Sequence, residues 1–177
     1  MKYRLCLLSI LTLFFSHISF AEEKTSETKN IGDLLDKVIP HLVDADGNKI
    51  ESPALKDKDY ILFYWSASWC GPCRRFTPAL IDVYEKLGGG TKFEVVFIGV
   101  DKSEEKMQAY MKKYKMKWPA IDFPARRGTG IKAYAAGGIP RLMLVDKKGD
   151  IIGHGKGETY KIFKKLVGLL GGTVTSK

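Results

Sequence analysis

Hydrophobic residues change their spacing several times along the chain, and each spacing predicts an element. Ile31, Leu34, Leu35 and Val38 fall three or four apart, as on one face of a helix, and Pro40 closes that segment. His41-Leu42-Val43 and Ile50 flank the turn signal Asp46-Gly47 and predict a hairpin. Residues 60–65 (YILFYW) are continuously apolar and aromatic, the pattern of a strand covered on both faces, and residues 93–100 (FEVVFIGV) read as a second buried strand. Between them Phe76, Leu80, Val83 and Leu87 mark an amphipathic helix ending at Gly88-Gly89-Gly90, which completes a βαβ unit. A lysine-rich helix over 103–114 starts at the cap Ser103 and turns Met107, Tyr110 and Met111 inward. Residues 141–145 and 150–152 flank the turn Lys147-Lys148-Gly149 and predict a second hairpin, and a last helix covers 159–170. From the first buried strand onward the order is β-α-β-α-β-β-α, an α/β fold with a central mixed β-sheet flanked by helices on both faces.

The first residues do not belong to that pattern. Lys2 and Arg4 precede an apolar run over 5–15, and Ser19-Phe20-Ala21 follows, which together predict a signal peptide over 1–21. The run is shorter than the roughly 18 to 20 residues of a membrane span, and Glu22-Glu23-Lys24 comes next. A periplasmic or secreted protein is therefore expected, not an integral membrane protein once the signal is cleaved. Residues 22–30 read as a flexible lead-in, 31–171 as one domain and 172–177 as a flexible tail. The net charge of +9 favours acidic partners. Lys106, Lys112, Lys113, Lys115 and Lys117 read as a solvated face, and no nucleic-acid partner is expected because no aromatic-interleaved basic motif accompanies them.

Cysteine changes the picture most. Once Cys6 has left with the signal, only Cys70 and Cys73 remain, too close together to staple distant parts of a fold. Trp69-Cys70-Gly71-Pro72-Cys73 stands where a strand hands over to a helix, whose unpaired N–H groups and partial positive charge stabilise a thiolate. Pro72 suits the first helical turn. Cys70 is the expected nucleophile and Cys73, one turn inward, the thiol that resolves a mixed disulfide. Arg74 and Arg75 add positive potential or are simply solvated. A zinc site would have only His41 and His154 to complete it, whereas a Cu(I) site suits two soft thiolates. Gly153, Gly155 and Gly157 read as turn glycines, not a nucleotide loop. Trp65 and Trp118 read as packing residues; Trp69, beside Cys70, is the candidate for lining a substrate surface.

The segment 64–80, YWSASWCGPCRRFTPAL, resembles the active-site region of the thioredoxin superfamily, specifically its tryparedoxin and nucleoredoxin branch. Asp101-x-Ser-Glu-Glu, Trp118-Pro119-Ala120 and Gly138-Ile139-Pro140 follow in the same order, so the resemblance spans about 42–152. It implies a thioredoxin-like fold and a thiol:disulfide oxidoreductase without cofactor, acting on protein thiols and disulfides. It also implies that Pro140 is a cis-proline beside the cysteines, that Ile139 offers its backbone to a substrate, and that Pro78 kinks its helix. Two residues depart from the pattern: Tyr64 stands where thioredoxins carry a buried Asp, leaving the proton acceptor for Cys73 unassigned, and Gly71 stands where the branch usually has Pro. Gly71-Pro72 and Ile139 resemble reducing members, whose potentials lie near about −270 mV against about −120 mV for strong oxidants. A reductase in an oxidising compartment needs an electron source, so a membrane-bound thiol reductase is the expected donor. The alternatives are a Cu(I)-binding or metalloprotein-assembly thiol module, or an oxidant or isomerase.

Overall fold

The computed structural model describes residues 30–51, 53–155 and 157–173. The expected signal peptide, nearly all of the lead-in and the end of the tail lie outside the described residues. Helix α1 covers Gly32–Val38, β1 Leu42–Val43, β2 Tyr60–Ser66, α2 Gly71–Lys86, β3 Phe93–Gly99 and α3 Glu104–Tyr114. They are followed by β4 at Ala120–Ile121, β5 at Arg141–Asp146, β6 at Ile151–His154 and α4 at Thr159–Leu169.

Six strands form one mixed sheet in the order β1-β4-β3-β2-β5-β6. β2 runs parallel to β3 and antiparallel to β5, so the two strands bounding the cysteine helix lie at the centre. Their continuous apolar pattern resolves into two faces because successive side chains point oppositely. Leu62, Tyr64, Val95, Phe97, Leu142 and Leu144 pack with α2, α3 and α4, whereas Ile61, Phe63, Trp65, Val96, Ile98 and Met143 pack beneath α1 and the short 3-10 turn Ile131–Tyr134. Helices thus cover both faces, as the pattern predicts. Met107, Tyr110 and Met111 are buried, and Ser103 caps α3 by accepting from the Lys106 N–H.

Four details differ from the sequence reading. Pro40 does not close α1 but lies in a 3-10 turn, Ile39–His41, that continues it, a position that tolerates a residue without an N–H. β4 has no sequence signal, since two residues are too few to show a period; it pairs with β1 and joins the first hairpin to the sheet. Gly153 is not a turn residue but sits in β6 opposite Leu144, and a side chain there would press on Ile162 of α4 at 3.3 Å. Asn30 is tied in: its side chain donates to Lys148 O at 2.8 Å and accepts from the Gly32 N–H at 2.9 Å.

Candidate active site

β2 ends at Ser66 and α2 begins at Gly71, so the four residues between them place Cys70 at the end of a central strand, with Cys73 in the first turn of α2. Cys70 is the N-cap of α2, and its Sγ accepts from the Cys73 N–H at 3.2 Å. A thiolate on Cys70 would take up a helix-terminal donor that is otherwise unpaired and lie on the positive end of a 16-residue helix. Both effects favour the charged sulfur over the thiol. Pro72 is exposed in the first turn, where its missing N–H removes no bond. At Gly71 a side chain would meet only Arg75 Nη1, at an ordinary 3.7 Å, so space does not demand glycine there.

Cys70 and Cys73 are joined as a disulfide, with Sγ atoms 2.18 Å and Cα atoms 5.2 Å apart. Cys70 retains 5% exposure and Cys73 none. Ala67, Val100 and Ile139 pack around the pair, leaving only a narrow part of Cys70 open to solvent. Trp69 is the opposite case at 58% exposure, a large apolar surface left in solvent beside the reactive sulfur. Trp65 and Trp118 are buried.

Opposite the cysteines the Ile139-Pro140 peptide is cis, and the Ile139 carbonyl oxygen lies 3.8 Å from Cys70 Sγ. This loop is held from several sides. Thr159 Oγ1, at the start of α4, donates to Pro140 O at 2.7 Å. Arg141 is buried and donates to Ala136 O, while His154 Nε2 lies 3.1 Å from Tyr134 O and 3.1 Å from Arg141 Nη2. Burial lowers the Arg141 guanidinium from its ordinary value. Gly138 has φ +92°, yet nothing lies within 4 Å of the side chain it lacks, so backbone conformation and not space requires it.

Three supporting groups escaped the sequence reading of the site. Asp101, buried after β3, accepts through Oδ1 from the Ser68 N–H at 3.0 Å and Ser68 Oγ at 2.6 Å, pinning the loop that leads into Cys70. Its signal was available in the Asp101-x-Ser-Glu-Glu motif, which carries no hint of its partner. Arg141 is a charge opening an otherwise apolar strand. The third group lies behind Cys73: Thr77 Oγ1 donates to Cys73 O at 2.9 Å and lies 2.9 Å from Tyr64 Oη and 2.7 Å from Tyr110 Oη, which reaches Ser66 Oγ at 3.2 Å. Burial, reinforced by Tyr110, pushes the Tyr64 hydroxyl well above its ordinary 10.0. Tyr64 therefore stays neutral at neutral pH and cannot replace a carboxylate as proton acceptor. Pro78 lies inside α2, and the Arg74 carbonyl that its missing N–H leaves free is approached by Tyr114 Oη at 3.4 Å.

Among the described residues no group of three or more His, Cys, Asp or Glu side chains is placed to hold a metal ion. No helix among them is long and apolar enough to cross a membrane.

This arrangement can exchange a dithiol for a disulfide. A family model described as thioredoxin-like matches residues 57–151. The thiol-disulfide oxidoreductase ResA of Bacillus thuringiensis is 33% identical over 128 residues, covering 71% of this chain and 71% of that protein. Probable nucleoredoxin 1 of Arabidopsis thaliana is 39% identical over 113 residues, which is 63% of this chain and only 19% of that protein. Tryparedoxin I of Crithidia fasciculata has a solved structure that superposes with a TM-score of 0.61 at 31% identity, covering 81% of this chain and 99% of that one.

Proposed function

Because the chain belongs to the thioredoxin-like family of thiol:disulfide oxidoreductases, we propose that it reduces protein disulfides through Cys70 and Cys73. One observation carries this reading: Cys70 Sγ caps α2, accepts from the Cys73 N–H and lies disulfide-close to Cys73 Sγ. In the reduced protein the Cys70 thiolate attacks one sulfur of a substrate disulfide and expels the other as a thiolate. Cys73, as thiolate, then attacks Cys70 Sγ and releases the second substrate thiolate. Two electrons pass to the substrate and the enzyme is left with the Cys70–Cys73 disulfide. The exposed Trp69 and the Ile139-Pro140 loop offer the surface on which the substrate chain lies, with Gly71 and Pro72 shaping the helix start between them.

Export as a periplasmic or secreted protein is supported by Lys2, Arg4, the apolar run over 5–15 and Ser19-Phe20-Ala21. In that setting the oxidised pair is re-reduced by a membrane-bound thiol reductase, a dithiol donor that returns both electrons. The reduction potential of the purified protein, equilibrated against glutathione and dithiothreitol with Cys70→Ser as control, tests the direction. A value below about −220 mV is expected, and one above about −160 mV would make the protein an oxidant or isomerase.

A further inference from the structure

Beside the cysteines, on the sheet face away from α2, a cavity of about 310 Å³ opens under the 3-10 turns Ala125–Arg127 and Ile131–Tyr134. Its floor is apolar, formed by Trp65, Ile98, Val100 and Ile131, and its wall is cationic, formed by Arg126, Arg127 and Lys132. Val100 connects the two sites, since it lines the cavity and also packs against the cluster of Ala67, Cys70 and Cys73.

The charges in this wall are unequally satisfied. Arg126 donates to Gly99 O and lies over the Phe123 ring at 3.7 Å. Burial lowers its guanidinium from the ordinary value, Arg127 pushes in the same direction, and Asp101 opposes them. Arg127 and Lys132 are exposed and have no ion pair among the described residues. Two cations without an ion pair among the described residues, on the wall of an apolar-floored cavity that shares Val100 with the disulfide's surroundings, complement a chain that presents apolar and acidic side chains together.

Resting on the oxidoreductase reading above, we propose that this cavity selects substrates. It takes an apolar side chain flanked by a carboxylate on the polypeptide whose disulfide lies on Cys70, the apolar group covering Ile98, Val100 and Ile131 and the carboxylate meeting Arg127 and Lys132. Arg127 and Lys132 act on specificity and take no part in the exchange itself.

Two disulfide peptides that differ only in Phe-Glu against Phe-Gln beside the cystine test this with the full protein. The wild type is expected to reduce the Glu peptide with a kcat/KM about fivefold higher than the Gln peptide, with the gap narrowing as salt is raised. In the variant combining Arg127→Gln and Lys132→Gln the gap closes, while the rate for the Gln peptide is unchanged. Equal rates for both peptides with the wild type, or an undiminished gap in the variant, overturn the proposal. The same peptides with Ser for Cys, titrated by calorimetry, separate it from the redox reading. A Glu-over-Gln affinity gap that disappears in the variant sustains the cavity's role even if neither disulfide peptide is reduced, in which case the oxidoreductase reading falls. The absence of any affinity gap counts against the cavity.

Discussion

The two cysteines share a helix start but not an environment. Cys70 caps α2 and keeps the little exposure the pair has, whereas Cys73 is fully buried behind it. An incoming sulfur therefore meets Cys70 first, and the resolving step depends on a thiol that no substrate reaches. Replacing Cys73 with Ser should leave the first attack intact and stop the second, so the variant should accumulate a covalent mixed disulfide with substrate that mass spectrometry detects. Cys70→Ser should form none and lose turnover by at least about a thousandfold. Accumulation on Cys70→Ser instead would reverse the two roles. The cysteine pair was legible in the sequence because CxxC states its own spacing. Asp101 was not, since its contact with Ser68 joins positions 33 apart and only the fold brings them together.

Between elements, the hydroxyl group of Thr77 forms the junction. It lies on α2 and meets Tyr64 of β2, Tyr110 of α3 and the Cys73 carbonyl, so the strand, the cysteine helix and the lysine-rich helix share one polar contact within an apolar core. A buried hydroxyl whose partner is removed loses its hydrogen bond without regaining water. Thr77→Val, which keeps the shape and removes the oxygen, should lower stability by about 1–3 kcal/mol, seen as a lower urea midpoint at unchanged slope. Combined with Tyr110→Phe the losses should be less than additive, because both variants break the same contact. Full additivity would mean that the network is not cooperative. The helices and central strands themselves were readable from spacing. The short β4 and the 3-10 continuation of α1 were not, because a two-residue strand and a single turn carry too few positions for a pattern.

For the whole molecule, acid response includes a group that works against the usual trend. Glu94 lies on β3 among apolar neighbours, accepting from Tyr84 Oη at 2.9 Å and from the Val95 N–H at 2.9 Å. Burial raises its carboxyl above the ordinary 4.5, and these hydrogen bonds with the nearby Lys58 charge only partly offset that. A folded-state value above the unfolded one means that the native chain holds the proton longer. This group's contribution is therefore most favourable below about 4.5 and is lost as pH rises through the raised value. Glu94→Gln should gain thermal midpoint relative to the wild type between pH 4 and pH 7, measured in parallel melts. A difference that stays constant with pH would show that the carboxyl is not shifted in the folded protein.

What the sequence determined by itself was whatever is encoded locally: the helical and strand periods and the CxxC pair at a strand-to-helix junction, with the Gly138-Ile139-Pro140 loop readable only through the resemblance. These readings need only neighbours within a few residues. The tertiary structure decided what depends on distant parts of the chain. It brought Ile139 to within 3.8 Å of the Cys70 sulfur, set a neutral Tyr64 in a hydroxyl network behind Cys73, and placed Arg127 and Lys132 over an apolar cavity that shares Val100 with the cysteines. The physical reason is that burial and pairing are properties of a packed interior. A tyrosine hydroxyl, a carboxylate or an unpaired cation acquires its chemistry from what surrounds it, and the chain's order does not state those surroundings.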